Sequence, residues 1–288
     1  MSVQESLKQG DLGETLKQLQ DTVRDNPSDS AARIFLFQLL AVMGNRDRAL
    51  TQLNVAAELD SEALLMAQTC RPLLQCEAYR QQVFEGDRAP LVFGQPEEWV
   101  ALLIQTLPLV ADDSGERGEA AWSLSEKAFA AAPDCSGTIN GKPFEWIADA
   151  DMRLGPVIEA VVDGKYYWIP FHNIASLEIS EPEDLRDLVW LPVEFTWANG
   201  GQSVGFIPPR YAGSESVEND QCALARYTYW TDHGAGFYTG IGQKTLTTDQ
   251  GDFPLLEVRN ITFNGSQTAP DEADAGSQDS ALADQTSG

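Results

Sequence analysis

Three groups of residues in this chain are of types that carry out chemistry. Asp149 and Asp151 stand two apart, with Glu145 just upstream, and oxygen-rich clusters of this kind suit hard divalent cations. An Asp-x-Asp pair is also common in turns, where the carboxylates accept from backbone amides, and Arg153 follows Asp151 closely enough for a local ion pair. His172 and His233 are candidate general bases, and Cys222 precedes His233 in sequence. Nucleophilic catalysis needs nucleophile, base and orienting group brought together in space, and no Gly-x-Ser-x-Gly elbow accompanies these residues. The third group is glycine-rich, Gly234-Ala-Gly236-Phe-Tyr-Thr-Gly240-Ile-Gly242. A phosphate-binding loop needs a strand before it and a helix after it. The following residues, QKTLTTDQGD, have no helical pattern, so these glycines read as a structural turn. No catalytic residue is assigned, no cofactor is expected and no metal-ligand set is named, so the chain reads as non-enzymatic.

The remaining candidates read as structural. Cys70, Cys76, Cys135 and Cys222 form no Cys-x-x-Cys pair and have only two histidines to help them, which argues against zinc and for reduced thiols. Arg153, Arg210, Arg226 and Arg259 are scarce bases in an acidic half. Pairing with buried carboxylates, tying loops to a sheet, is the role expected of them.

The elements that would position these residues divide the chain into two textures. Residues 1–85 read as a helical array. Gly10 to Pro27 aligns with Gly44 to Ser61 at an offset of 34 residues, with Leu16 on Leu50 and Leu19 on Leu53, and 34 is the period of a tetratricopeptide repeat. Between them lies a helix that Ser28 or Ser30 can cap. A degenerate third unit covers 61–85, with Pro72 interrupting or bending it. Residues 86–136 hold a Gly- and Pro-rich break and two further helices, carrying Trp99 and Trp122 on apolar sides. From 137 to 264 the texture is mostly strand. VIEAVV, Asp163-Gly164 and KYYWIP form a hairpin signal, because both central residues of a type I′ turn need φ > 0. Strands are expected over NIASLEI, VWLPVEFTWA, QSVGFIPPR and FPLLEVRNITF, with a short acidic helix over EPEDLRDL. The fold class is therefore α+β in two parts, a TPR-like α–α superhelix followed by a mainly antiparallel α+β domain. Residues 265–288, acidic and without aromatics, are expected to be disordered.

Charge narrows the partners. Nineteen Lys and Arg face 44 Asp and Glu in 288 residues, a formal net charge of -25, so nucleic acid and anionic membranes are excluded as binding surfaces. No basic region followed by an apolar core opens the sequence, and no run reaches bilayer-spanning length. A cytoplasmic location is expected.

The motifs of the second half, in order, are Asp151-Met-Arg153-Leu-Gly155-Pro156, GKYYWIPF with Trp168, DLRDLVWLPVEF, RYAGSE from Arg210 and Tyr211, the TYWTD run with Trp230, GIGQK with Gly242, and LLEVR ending at Arg259. Together they resemble the ImpE (TagJ) family of type VI secretion accessory proteins, and the N-terminal repeats agree with that family's TPR-like half. The chain departs from the family at Thr228-Tyr229-Trp230, where Thr-Asp-Trp is usual, and in its acidic tail. The resemblance implies a non-catalytic cytoplasmic protein that binds the N-terminal helix of the small sheath subunit TssB. It also implies action around sheath assembly or recycling by the ATPase ClpV. Arg153, Gly155, Pro156, Trp168, Arg210, Tyr211, Trp230, Gly242 and Arg259, as motif residues, read as structural. Helix-in-groove docking is the matching physics. In the 34-residue register Ile34, Gln38, Ala41 and Gln68 would line that groove, while Leu36 and Leu40 pack between helices. Two alternatives stand beside this reading. One is a holdase for free sheath subunits. The other is a metal- or nucleotide-dependent enzyme built on Asp149, Asp151 or His233.

Overall fold

The computed structural model describes residues 2–111 and 117–265. The expected disorder of the acidic tail falls, from residue 266 onward, outside the described residues. Five helices open the chain: α1 (Val3–Gln9), α2 (Leu12–Asp25), α3 (Ser30–Val42), α4 (Arg46–Leu59) and α5 (Ser61–Phe84). Each packs on the next. Side chains of Ser2, Asp11, Asp29 and Asp60 accept first-turn amides of α1, α2, α3 and α5, each cap stabilising by about 0.5–2 kcal/mol. The cap of α3 is thus Asp29 and not either neighbouring serine. α2 and α4 begin and end 34 residues apart, and the glycines just before them, Gly10 and Gly44, both have positive φ (79° and 71°), a conformation in which a Cβ costs energy. α5 differs from the expectation of a broken third unit, because it runs through Pro72 without interruption. One backbone bond is lost there, but Ala67, Cys70, Leu73, Leu74 and Cys76 are buried on both sides of it and hold the helix in line.

Two further helices, α6 (Glu98–Val110) and α7 (Gly118–Ala131), pack against each other. Trp99 is buried and Trp122 half-buried. A four-residue helix, α8 (Asp220–Ala223), comes later. No described helix is long and apolar enough to cross a membrane.

The strands are β1 (Leu91–Val92), β2 (Gly137–Ile139), β3 (Lys142–Phe144), β4 (Ile147–Asp149), β5 (Val157–Val162), β6 (Lys165–Pro170), β7 (Ile174–Ile179), β8 (Leu191–Trp197), β9 (Gln202–Ile207), β10 (Thr228–Asp232), β11 (Tyr238–Gly242), β12 (Thr245–Thr248), β13 (Gly251–Pro254) and β14 (Asn260–Phe263). Nine of them form one sheet in the order β1-β6-β5-β9-β8-β7-β14-β2-β3. Its pairings are antiparallel except β1 with β6. β13-β12-β4 form a three-stranded sheet and β10-β11 a hairpin. The Asp163-Gly164 turn joins β5 to β6 with φ of 50° and 69°, as the hairpin signal requires. The acidic EPEDLRDL segment makes a 3-10 turn over Leu185–Leu188. The closing segment is not one strand: a 3-10 turn at Leu255–Glu257 separates β13 from β14 and sends them to different sheets.

Every residue of β5 is buried because the large sheet is covered on both faces. Val157 and Val161 join the helices' core with Tyr166 and Trp168. Ile158, Ala160 and Val162 join a second core on the other face, with Ile169, Phe195 and Ile261. The alternation places Glu159 on the helix-facing side, between two valines.

Candidate functional site

A carboxylate in the middle of a fully buried strand requires partners, and Glu159 has three. Arg80, from α5, donates from Nε (2.6 Å) and Nη2 (3.0 Å), and the Tyr166 hydroxyl lies at 2.6 Å. Lys244 Nζ, from the turn before β12, is 2.6 Å from Oε2 and also 2.9 Å from Asp149 Oδ2. Asp149 further accepts from the Tyr211 hydroxyl (3.0 Å) and the Asp151 amide (2.9 Å). Asp151 accepts from the backbone and guanidinium of Arg153 and from the Gly240 amide (2.9 Å). Arg153 in turn lies over the Phe84 ring of α5. These side chains are all at least nine-tenths buried. They form one clamp joining α5, the large sheet, the small sheet and the β10–β11 hairpin.

The electrostatics follow from burial against pairing. Burial alone would raise the Glu159 carboxyl, but Arg80 and then Lys244 outweigh it and hold the group well below the ordinary carboxylate range. At Asp149 burial prevails over Lys244 and pushes the carboxyl up. Burial pushes the Tyr211 and Tyr166 hydroxyls up, and the neighbouring carboxylates add to it. Each carboxylate of the clamp is engaged by two or more donors, so the arrangement fastens elements together. The Asp149–Asp151 pair caps a turn and binds cations of this chain's own side chains. His172 sits beside Glu97 (2.8 Å), and His233 shares a hydrogen bond with Thr239 (2.9 Å).

The other motif residues surround the clamp. Arg210 directs its guanidinium at the C-terminal end of α3, donating across to the Val42 carbonyl (2.7 Å) and, within its own half, to Ala223 O (2.6 Å). A cation at a helix C-terminus complements its dipole. Its own carbonyl accepts from Arg80 (2.9 Å). The expectation of carboxylate pairing therefore holds for Arg153 but not for Arg210, where carbonyls are the main partners. It does not hold for Arg226, which donates to Leu7 and Lys8 carbonyls, or for Arg259, which donates to its neighbour's carbonyl. Trp168 donates to Tyr166 (2.8 Å), and Trp230 meets Tyr211 edge-on. Gly155, φ 52°, forms the chain reversal before Pro156, and its carbonyl accepts from Asp149. Gly242, φ 98°, donates to Ser214 Oγ (2.7 Å). Sequence reasoning missed Arg80, Glu159 and Lys244 as a set. The signal available was a glutamate inside VIEAVV.

The four residues expected to line a groove differ in exposure. Gln38 and Ala41 are buried, because the 3-10 turn at 185–188 packs on α3 and Arg210 reaches its C-terminal end. The C-terminal half fills the face that a longer array would leave open. Ile34 is half-buried and Gln68 exposed. An open apolar groove runs instead between α5 and β9. Two hollows, of about 250 and about 420 Å³, share Thr69, Leu73 and Phe206. Gln68 and Val204 border one, and Leu65 and Trp190 the other. Leu65 is 71% exposed and Val204 74%. The indole Nε1 of buried Trp190 has no hydrogen-bond partner, a rarity for a buried donor.

Comparison with known proteins gives three results. The ImpE protein family matches residues 141–262. A protein of Pseudomonas aeruginosa described as type VI secretion system accessory component TagJ is 48% identical over 263 residues, covering 91% of each chain. The X-ray crystal structure of a Vibrio parahaemolyticus protein superposes with a TM-score of 0.81 at 27% identity, covering 91% of this chain and 97% of that one.

Proposed function

This chain belongs to the ImpE family, and we propose that it serves a type VI secretion system as a non-enzymatic accessory component that holds the N-terminal helix of the sheath subunit TssB. The observation that carries this reading is the apolar groove between α5 and β9, with Leu65 and Val204 exposed along it. An amphipathic helix presents apolar side chains at i, i+3, i+4 and i+7, the spacing that fills such a groove. Trp190, itself buried, lines the floor of the groove beside Leu73 and Phe206. Of the residues first expected to bind, Gln68 borders this groove and Ile34 lies apart from it. The same reading places the protein in the cytoplasm with its partner, acting on sheath assembly or on recycling by ClpV.

The test is calorimetric titration of a peptide covering the TssB N-terminal helix into the full chain at two salt concentrations. One-to-one binding with a negative heat-capacity change and weak salt dependence is expected, since apolar burial drives it. Absence of binding at both salts removes the reading. A holdase would in addition suppress sheath polymerisation, whereas a recycling adaptor would leave it intact.

A further inference from the structure

A separate cavity of about 380 Å³ lies where the C-terminal end of α7 meets β4. Phe129, Ala132 and Pro133 line it from one side and Ile147, Ala148 and Gly155 from the other, and Trp146 stands at it 42% exposed. That volume is in the range of ligand-binding clefts. β4 is an edge strand, hydrogen-bonded within its sheet to β12 alone. The direction of its polar groups follows from two bonds. The Ala150 amide donates to Thr245 O (2.9 Å), on the β12 side, whereas the Asp149 amide donates away from β12, to Gly155 O (2.6 Å). Backbone groups alternate along a strand, so Ile147 shares the direction of Asp149, away from β12; Gly155 takes the Asp149 amide, and a guest strand would pair at Ile147. An edge of this kind is a template for an added strand.

Charge selects the guest. The lining contains Asp134 and Asp149 and no Lys, Arg or His. Asp149 is already engaged by Lys244, but Asp134 is exposed, as are Glu145 and Asp249, which adjoin Trp146 through the Glu145 N–H to Asp249 bond (2.8 Å). Lys142 nearby in sequence lies over the Phe253 ring. We propose that this cavity binds a short extended peptide segment of a partner protein, added as a strand to β4. One apolar side chain would fill the hollow at Phe129 and Pro133, and one Lys or Arg would sit between Trp146 and Asp134. A cation over an exposed indole gains on the ring face as well as from the carboxylates.

The experiment is an NMR titration of the 15N-labelled full chain with a capped pentapeptide of alternating valine and arginine. Two control peptides accompany it, one with glutamate for arginine and one N-methylated along its backbone. The expected result is saturable movement of the Trp146 indole signal, assigned by loss in Trp146→Phe. The glutamate peptide should bind at least about tenfold more weakly and the N-methylated peptide should not saturate. Trp146→Ala and Asp134→Lys should each weaken binding by about fivefold or more while the TssB helix peptide still binds. Equal binding of the arginine and glutamate peptides, or no saturation by about 1 mM, overturns the proposal. Undiminished binding of the N-methylated peptide overturns the added strand and leaves a pocket for cationic amphiphiles.

Discussion

Replacing Arg80 by Met tests whether the buried clamp fastens the helices to the sheet. Methionine keeps most of the length that packs beside Phe84, so the change isolates the guanidinium. Three hydrogen bonds are lost, two to Glu159 (2.6 and 3.0 Å) and one to the Arg210 carbonyl (2.9 Å). Breaking one side of a buried pair costs about 3–5 kcal/mol. Glu159 retains Lys244 and Tyr166, each at 2.6 Å, which puts this term at the lower end. The bereft Arg210 carbonyl adds about 1 kcal/mol. The total is about 4 kcal/mol, a large share of the stability of a typical domain, and it corresponds to a Tm lower by about 8–16 °C. Urea unfolding should show the midpoint fall with unchanged slope. The double variant Arg80→Met/Glu159→Gln should cost less than the sum of the singles by more than about 1 kcal/mol, since no unpaired carboxylate remains. A single-variant loss below about 1 kcal/mol, or strict additivity, would refute the clamp.

Other outcomes follow from the same geometry. The Glu159 carboxyl is held below its ordinary range by Arg80 and Lys244, so its stabilisation is present above the ordinary carboxylate value and is lost as pH falls towards the folded-state value. Asp149, pushed up by burial, gives the opposite slope. The informative quantity is therefore the stability difference between wild type and Glu159→Gln, which should shrink between about pH 6 and about pH 3 in urea titrations. Burial pushes the Cys70 and Cys76 thiols up to about 11. About 1% of each is thiolate at pH 9, and alkylation of the native chain, followed by mass spectrometry, should stay slow to that pH. Gly242→Ala should destabilise by about 3 kcal/mol or more in thermal melts. It combines a left-handed φ of 98° with a Cβ pressed onto the Tyr227 carbonyl.

Local signals in the sequence were the readable ones. Asp163-Gly164 between two β-branched and aromatic runs specifies its hairpin, because few residues accept its dihedrals. Gly10 and Gly44 mark two helix junctions 34 residues apart. What joins distant segments was not readable. Lys244 meets Glu159 and Asp149, and Arg80 meets Glu159, across 79 to 95 positions, and no local pattern encodes such pairs. The same limit applies to the exposure of α3. Gln38 and Ala41 occupy helical positions that an isolated array would expose, and residues 185–188 and Arg210, distant in sequence, pack on α3. The closing segment failed as a single strand because backbone turns at Leu255–Glu257 redirect a run whose composition alone reads as strand throughout.

The most direct measurement compares three forms of the full chain in calorimetric titration with the TssB N-terminal helix peptide: wild type, Leu65→Asp and Ile34→Asp. Both substituted positions lie outside the clamp; Leu65 is largely exposed and Ile34 half-buried, so circular dichroism melts accompany each titration to establish that the variant is folded. Docking between α5 and β9 predicts that Leu65→Asp weakens binding at least about tenfold while Ile34→Asp leaves it within about twofold. The reverse pattern, binding lost in Ile34→Asp and kept in Leu65→Asp, would contradict the account and move the helix to the face of α3.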